Sequence, residues 1–329
     1  AKGTLFANAH CQAPICGPSR ASLFTGLYPS TTGLYLQVAD EQIREAGPAA
    51  ASVFLTEYLE QYGYKTMGAG KLLHLGAGAG LLQEYGGHKD FGPYAPERFH
   101  YESERTSTDW GAYPERDEQM PDHHVAAYAV EKLGQPHDRP FFLGVGFNRP
   151  HVPWYVPAKW FEPFPLESIQ LPPYLEEDRA DLPEISRRIH DITVTPTTPW
   201  LIEQGYWEEM TQAYLACVAF VDDQIGRVLK ALEASPYAGN TVVVLWSDHG
   251  YHLGEKDIVA KMTVWEESTR VPLIIAGPGL ARGAVCRRPV GLIDLYPTLL
   301  DLAGLPQNRM NDGRSLVPLL RDAEAHWPW

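Results

Sequence analysis

Cys16-Gly17-Pro18-Ser19-Arg20-Ala21-Ser22-Leu23-Phe24-Thr25-Gly26 is the stretch on which the reading of this chain turns. It sets a cysteine two residues ahead of a proline, then runs through Ser-Arg and Ser-Leu to Thr-Gly. From Ser19 it reads as a helix start, with Ala21, Leu23 and Phe24 at helical apolar positions. Cys16 then falls at a helix N-terminus, where free N–H groups and the helix dipole favour an anion.

Outward from this stretch, strand and helix patterns alternate. An extended segment over 4–9 leads in. An amphipathic helix is expected over 52–62 and a strand over 64–69, closing at Gly70-Lys71. A helix over 122–133 takes Asp122 as its N-cap. The apolar run 141–147 suits a buried parallel strand. The longest helical pattern covers 206–232. Strands follow at 242–246 and 271–276, and a helix at 294–302 ends before Gly304. This order predicts an α/β sheet with parallel strands and a site at their carboxyl ends. Residues 76–121 read as a long irregular insertion, and 149–173, rich in proline and aromatics, as a loop.

Bulk properties narrow the function. A chain of 329 residues suits one large α/β domain or two ordinary ones. With 44% hydrophobic and 21% charged residues it is an ordinary globular chain, not a disordered one. A net charge of −14 argues against nucleic acid as the main partner. A local cationic cluster can still bind a polyanion. The four cysteines contain no C-x-x-C pair and make no disulfide framework. No run of about twenty apolar residues marks a membrane span. The chain opens on Ala1 with no signal-peptide pattern.

Several short segments carry candidate chemistry. Lys71 and His74 sit in Gly70-Lys71-Leu72-Leu73-His74, just past a strand; taken alone, the segment reads better as a plain loop with an exposed lysine and an incidental histidine. A phosphate loop fits poorly, because Leu72 stands where Ser or Thr is needed. His151, in Arg149-Pro150-His151-Val152-Pro153, ends the strand 141–147. Its reference pKa of about 6.5 lets it give or take a proton near neutrality. Asp248 and His249, in Ser247-Asp248-His249-Gly250, offer a site for a hard cation, or an Asx turn. Lys261 alone reads as a surface lysine. Arg20 brings a guanidinium that stays charged and binds bidentately. The pair His123-His124 reads as solvated. Gly17 breaks the H-C-x5-R pattern begun by His10-Cys11, and no H-E-x-x-H occurs.

Together these residues resemble the formylglycine-dependent sulfatases of the alkaline-phosphatase-like superfamily. The signature C-x-P-S-R-x-S-L-x-T-G matches at every fixed position. Gly70-Lys71-Leu72-Leu73-His74 resembles the family's G-K-x-H element with one extra residue, as in iduronate-2-sulfatase-like enzymes. The segments R-P-H-V-P, S-D-H-G, R-V-P-L-I-I-A-G-P-G, D-L-Y-P-T-L-L-D-L-A-G and D-G-R-S-L extend the likeness to about residue 320. The implied fold is α/β: a large mixed, mainly parallel sheet sandwiched by helices. The implied activity is hydrolysis of sulfate esters, on a sulfated glycan or glycosaminoglycan.

The resemblance also implies roles. Cys16 becomes formylglycine, through a formylglycine-generating or anaerobic sulfatase-maturating enzyme. Its hydrate attacks sulfur. Arg20, Lys71 and Lys261 offset charge, His151 protonates the leaving oxygen, and His74 takes the proton that expels sulfate. Asp248, His249 and residue 16 bind Ca2+ or Mg2+. Tyr251, His252, Trp154 and Tyr155 are the expected substrate contacts. The family is periplasmic, secreted or lysosomal. Its members begin with a strand bearing paired aspartates and end in a smaller subdomain. Neither is seen here, so residues 1–329 read as one catalytic core truncated at both ends. Two other functions share these motifs: a formylglycine-dependent phosphonate or phosphodiester hydrolase, and an inactive carbohydrate-binding relative.

Overall fold

The computed structural model describes residues 2–74, 80–88, 90–103, 105–192 and 194–328. Its strands fall into two main sheets. In the first, Lys65–Gly70 lies between Glu84–Tyr85 and Phe141–Gly146, and both pairings are parallel. Register runs from Lys65 opposite Phe141 to Gly70 opposite Gly146. The helices Leu55–Gln61 and Pro121–Gly134 pack against Lys65–Gly70, giving the alternating layers expected of an α/β chain.

The second sheet has the order Ala284–Cys286, Thr4–Phe6, Leu273–Ala276, Val243–Trp246. Thr4–Phe6 is parallel to Ala284–Cys286 and antiparallel to Leu273–Ala276. Leu273–Ala276 also runs antiparallel to Val243–Trp246. The reason is local: the chain between those two strands makes loops, a 3-10 turn and the short helix Glu266–Thr269, with no long crossover helix to restore a parallel direction. The architecture is therefore mixed α/β.

Two smaller pairings complete the strands. Ala9–His10 joins Val290–Gly291 and Arg270–Val271, and Trp110–Ala112 runs parallel to Trp154–Val156. The last pair puts ordered strands inside 76–121 and 149–173, both read from sequence as irregular. Residues 76–79, 89 and 104 of that insertion lie outside the described residues.

The 28-residue helix Trp207–Ala234 buries Trp207, Met210, Cys217, Phe220 and Gln224, a stripe at three- and four-residue spacing. That stripe packs on Pro121–Gly134 and on the Trp110–Ala112/Trp154–Val156 pair. A second apolar core surrounds the helix Cys16–Thr25, where every residue except Arg20 is buried. This helix starts three residues before the expected Ser19. It stops at Gly26, whose left-handed backbone (φ 72°) lets its N–H reach Ser22 O. No helix among the described residues is long and apolar enough to cross a membrane.

Candidate active site

Cys16 begins the signature helix and is 1% exposed. Its Sγ lies 3.0 Å from Lys261 Nζ, 3.3 Å from Lys71 Nζ and 3.2 Å from His249 Nε2. His151 and His74 also stand beside the sulfur. Sγ occupies the position that an oxygen of a formylglycine hydrate would take. The structure thus gathers five polar side chains from four distant segments around one buried atom.

Each arrives for a local reason. The strands Lys65–Gly70 and Phe141–Gly146 approach so closely at their ends that a Cβ on Gly70 would lie 2.0 Å from Gly146 O. Glycine also accommodates φ 76° at Gly70. That approach lets Lys71 N–H donate to Gly146 O at 2.7 Å, which fixes where the lysine leaves the sheet. His74 is held by its backbone N–H, which donates to Asp40 Oδ1 at 3.1 Å.

His151 is positioned from the neighbouring helix. Asp122, expected as an N-cap, does not cap: the N-cap residue is Met120, and Pro121 opens the helix. The buried Asp122 carboxylate instead accepts the N–H groups of Asn148 (2.8 Å) and Arg149 (2.9 Å). This pins the turn that carries His151. His151 Nδ1 bonds Val152 O at 2.8 Å, and His249 Nδ1 bonds Gly250 O at 2.7 Å. With Nδ1 committed in each case, both rings turn Nε2 toward residue 16.

Arg20 Nε donates to Asp248 Oδ2 at 2.7 Å, and its Nη1 reaches the carbonyls of Lys71 and Leu72. It ties the signature helix to the ends of two strands. Ser19 Oγ adds a bond to Asp248 O at 2.5 Å. The Lys261 loop is braced by Tyr251, whose hydroxyl donates to Val259 O at 3.1 Å, and by His252 N–H on Ala260 O at 2.8 Å.

The four expected substrate contacts stand elsewhere. Trp154 is fully buried and its indole N–H donates to Pro150 O at 2.8 Å. Tyr155 is buried, with its hydroxyl on Asp109. His252 is buried, with Nε2 at 2.8 Å from Thr263 Oγ1. Tyr251 is half-buried, packed edge-on to Trp154 and committed to Val259. All four hold the frame; aromatic rings in a proline-rich stretch here close a core instead of lining a surface.

The electrostatics single out Cys16. Burial pushes the Cys11 and Cys217 thiols up to about 12 and raises Cys286 as well. Burial opposes ionisation of Cys16 too, yet Lys261 and bonds from His151, His249 and His74 bring it well below its ordinary value. Burial lowers Lys71 to about 8, partly offset by Cys16. Burial and the Lys261 charge lower His151 to about 4. Asp248 is buried, but Arg20 and His249 hold its carboxyl below the usual range.

Ligand atoms of Cys16, Asp248 and His249 all lie within 4.8 Å of one another. A buried ionised carboxylate beside an imidazole lone pair fits a divalent cation as a partial set. Ca2+ takes about six to eight oxygens, so other ligand positions fall to groups beyond these residues.

Comparison with known proteins gives the same picture. The sulfatase family model matches residues 1–305. A sulfatase of Formosa agariphila is 48% identical over 98% of this chain and 67% of its own length. The mouse (Mus musculus) iduronate 2-sulfatase is 30% identical over 92% of this chain and 62% of its own. The chain thus spans about two thirds of the length of these relatives. A solved 2-O GAG sulfatase superposes with a TM-score of 0.74 at 25% identity, covering 99% of this chain and 69% of the other. A phosphonate monoester hydrolase of Agrobacterium radiobacter, at 22% identity, shares the fold with a TM-score of 0.75, over 97% of this chain and 70% of its own. With the signature helix, its cationic ring and these matches in hand, the chain belongs to the sulfatase family.

Proposed function

We propose that the protein containing this chain hydrolyses sulfate esters of a glycan, with residue 16 as nucleophile after its conversion to formylglycine. The observation that carries this reading is the convergence of Lys71, Lys261, His74, His151 and His249 on Cys16, the one thiol of four that its surroundings acidify. The likeness to iduronate 2-sulfatase and to a 2-O GAG sulfatase supports a sulfated sugar as substrate.

Lys71 and Lys261 hold the sulfonate oxygens and offset their growing charge. Burial keeps this offset strong, because little water competes. His151 is neutral in the empty site. A sulfate ester placed against it adds a negative charge, raises its proton affinity and equips it to protonate the leaving sugar oxygen. His74, also beside residue 16, accepts a hydroxyl proton. Formylglycine supplies a second hydroxyl on the same carbon, so sulfate leaves without water attacking sulfur. Asp248 and His249 would hold the cation, Ca2+ or Mg2+, which acidifies the nucleophilic hydroxyl. Arg20 keeps the Asp248 carboxylate ionised and aimed.

The implied partners are a maturating oxidase or radical enzyme acting on Cys16 and a sulfated oligosaccharide. A periplasmic, secreted or lysosomal setting goes with that substrate class. The test uses the full-length protein. Mass spectrometry of the residue-16 peptide distinguishes aldehyde from thiol. Sulfate release from aryl and sugar sulfates is compared with hydrolysis of an aryl phosphonate and a phosphodiester. Preference for the phosphorus esters would reject the sulfatase reading. An unmodified thiol with no turnover would favour the binding-only relative.

A further inference from the structure

We propose that Phe91 is a positioning residue for the reaction, one aromatic wall that sets both Lys71 and His151 toward residue 16. The inference rests on the sulfatase reading above. Phe91 lies in the stretch that sequence patterning left without structure, yet its ring touches two groups of the site. Its centroid is 4.2 Å from that of the His151 imidazole, with the planes tilted by 32°. Lys71 Nζ stands 4.5 Å from the same centroid.

Each neighbour gains something different. Lys71 is 4% exposed, and its ammonium touches Cys16 Sγ and the face of Phe91. A ring face attracts a cation without neutralising it by proton transfer, as a carboxylate could not guarantee. The ammonium therefore remains available to a sulfonate oxygen. His151 has one nitrogen committed to Val152 O, and the close, tilted contact with Phe91 limits the remaining rotation of its ring. Nε2 then stays directed at the reacting centre.

The wall itself is anchored. Arg149 Nη1 donates to Phe91 O at 3.0 Å and Nη2 to Gly92 O at 3.4 Å. Asn148 Nδ2 donates to Asp90 O at 2.9 Å. Asn148 and Arg149 are also the two residues whose N–H groups Asp122 grips. One buried carboxylate thus fixes the turn bearing His151, and that turn fixes the backbone on both sides of Phe91. Shape and orientation of acid and cation are set by the same assembly.

The test compares Phe91→Leu, which keeps apolar volume but loses the ring face, with Phe91→Tyr, which keeps it. Both are made in the matured full-length protein. 4-Nitrophenyl sulfate has a leaving group that needs no proton; an alkyl or sugar sulfate needs one. Phe91→Leu is expected to lower kcat on the alkyl sulfate about tenfold more than on the nitrophenyl ester, because proton donation is what misaims. Phe91→Tyr is expected to restore both. In a His151→Gln background the extra penalty on the alkyl sulfate disappears. Equal losses on both substrates, or no rescue by Phe91→Tyr, would overturn the proposal. If the wild-type protein releases no sulfate from either ester, the sulfatase reading fails by itself. Phe91 is then judged from crystal structures of the thiol form. His151 and Lys71 displaced by about 1 Å or more in Phe91→Leu sustains the positioning role, and unchanged side chains reject it.

Discussion

Lys261 Nζ lies 3.0 Å from Cys16 Sγ, although 245 positions of sequence separate the two residues. With Lys71 Nζ at 3.3 Å from the same sulfur, two ammonium groups share one buried anionic position. Such a pair repels unless an anion lies between them. The site is in this sense prepared for a bound sulfonate.

The first prediction concerns pH. Burial lowers Lys71 to about 8, so its charge is present below that value and is lost as pH rises through it. kcat/KM on an aryl sulfate is expected to fall along an alkaline limb at or below this value, because conversion of Cys16 to formylglycine removes the thiolate that raises Lys71. Lys71→Arg stays charged across the range and should remove the limb, while lowering the maximal rate because a guanidinium is bulkier and differently directed. A pH–rate profile of both proteins checks this. A limb that persists in Lys71→Arg assigns it to another group.

Cys16→Ser tests the nucleophile. The side chain still offers one hydroxyl to attack sulfur but lacks the second that expels sulfate. Turnover should drop by about 10³-fold or more, and intact-mass analysis after incubation with substrate should reveal protein carrying one sulfuryl group. Wild-type turnover by Cys16→Ser would reject the formylglycine scheme.

Asp248→Asn should unfold more readily. It leaves the Arg20 guanidinium, whose side chain is 15% exposed, without its counter-ion. A loss of about 3–5 kcal/mol is the usual scale for breaking one half of a buried pair. The folded-state carboxyl is held below its ordinary value, so its stabilisation is present at neutral pH and fades as pH falls. Urea midpoints of the two proteins should differ by a constant amount down to about pH 4 and converge below it. A gap that widens in acid would contradict the assignment.

Tyr155→Phe separates frame from substrate contact. Its hydroxyl bonds the buried Asp109, which also receives the N–H groups of Phe99, His100 and Tyr101. Removal should cost about 1–3 kcal/mol of stability, read from thermal or urea unfolding. KM for sulfated sugars should not change. A raised KM with unaltered stability would return Tyr155 to the substrate.

The signature was legible in the sequence as a contiguous motif, whereas Lys71, His74, His151, Asp248 and Lys261 each read alone as loop residues and were expected at the site only through the family likeness. The parallel pair Lys65–Gly70 and Phe141–Gly146 was legible from small and apolar runs. Strand direction at Val243–Trp246 was not, since an apolar run looks alike in either direction and only the connection decides. Asp122 carried a cap-like pattern, yet its partners Asn148 and Arg149 lie on another strand end, a long-range fact that local spacing cannot encode. Phe91 had no signal at all: its role comes from two neighbours, one before and one after it in the chain. Proline-rich surroundings gave no hint that a long helix covers Trp154 and Tyr155.

Lys71, His249 and Lys261 face Sγ from 55, 233 and 245 positions away from Cys16, so no short segment of this chain can hold the cluster. Loop-closure entropy makes such distant contacts late and slow to form. Enzymatic competence would therefore arrive last during refolding and vanish first under mild denaturant, ahead of helical content. Measured alongside circular dichroism, catalysis becomes a gauge of tertiary order in this molecule.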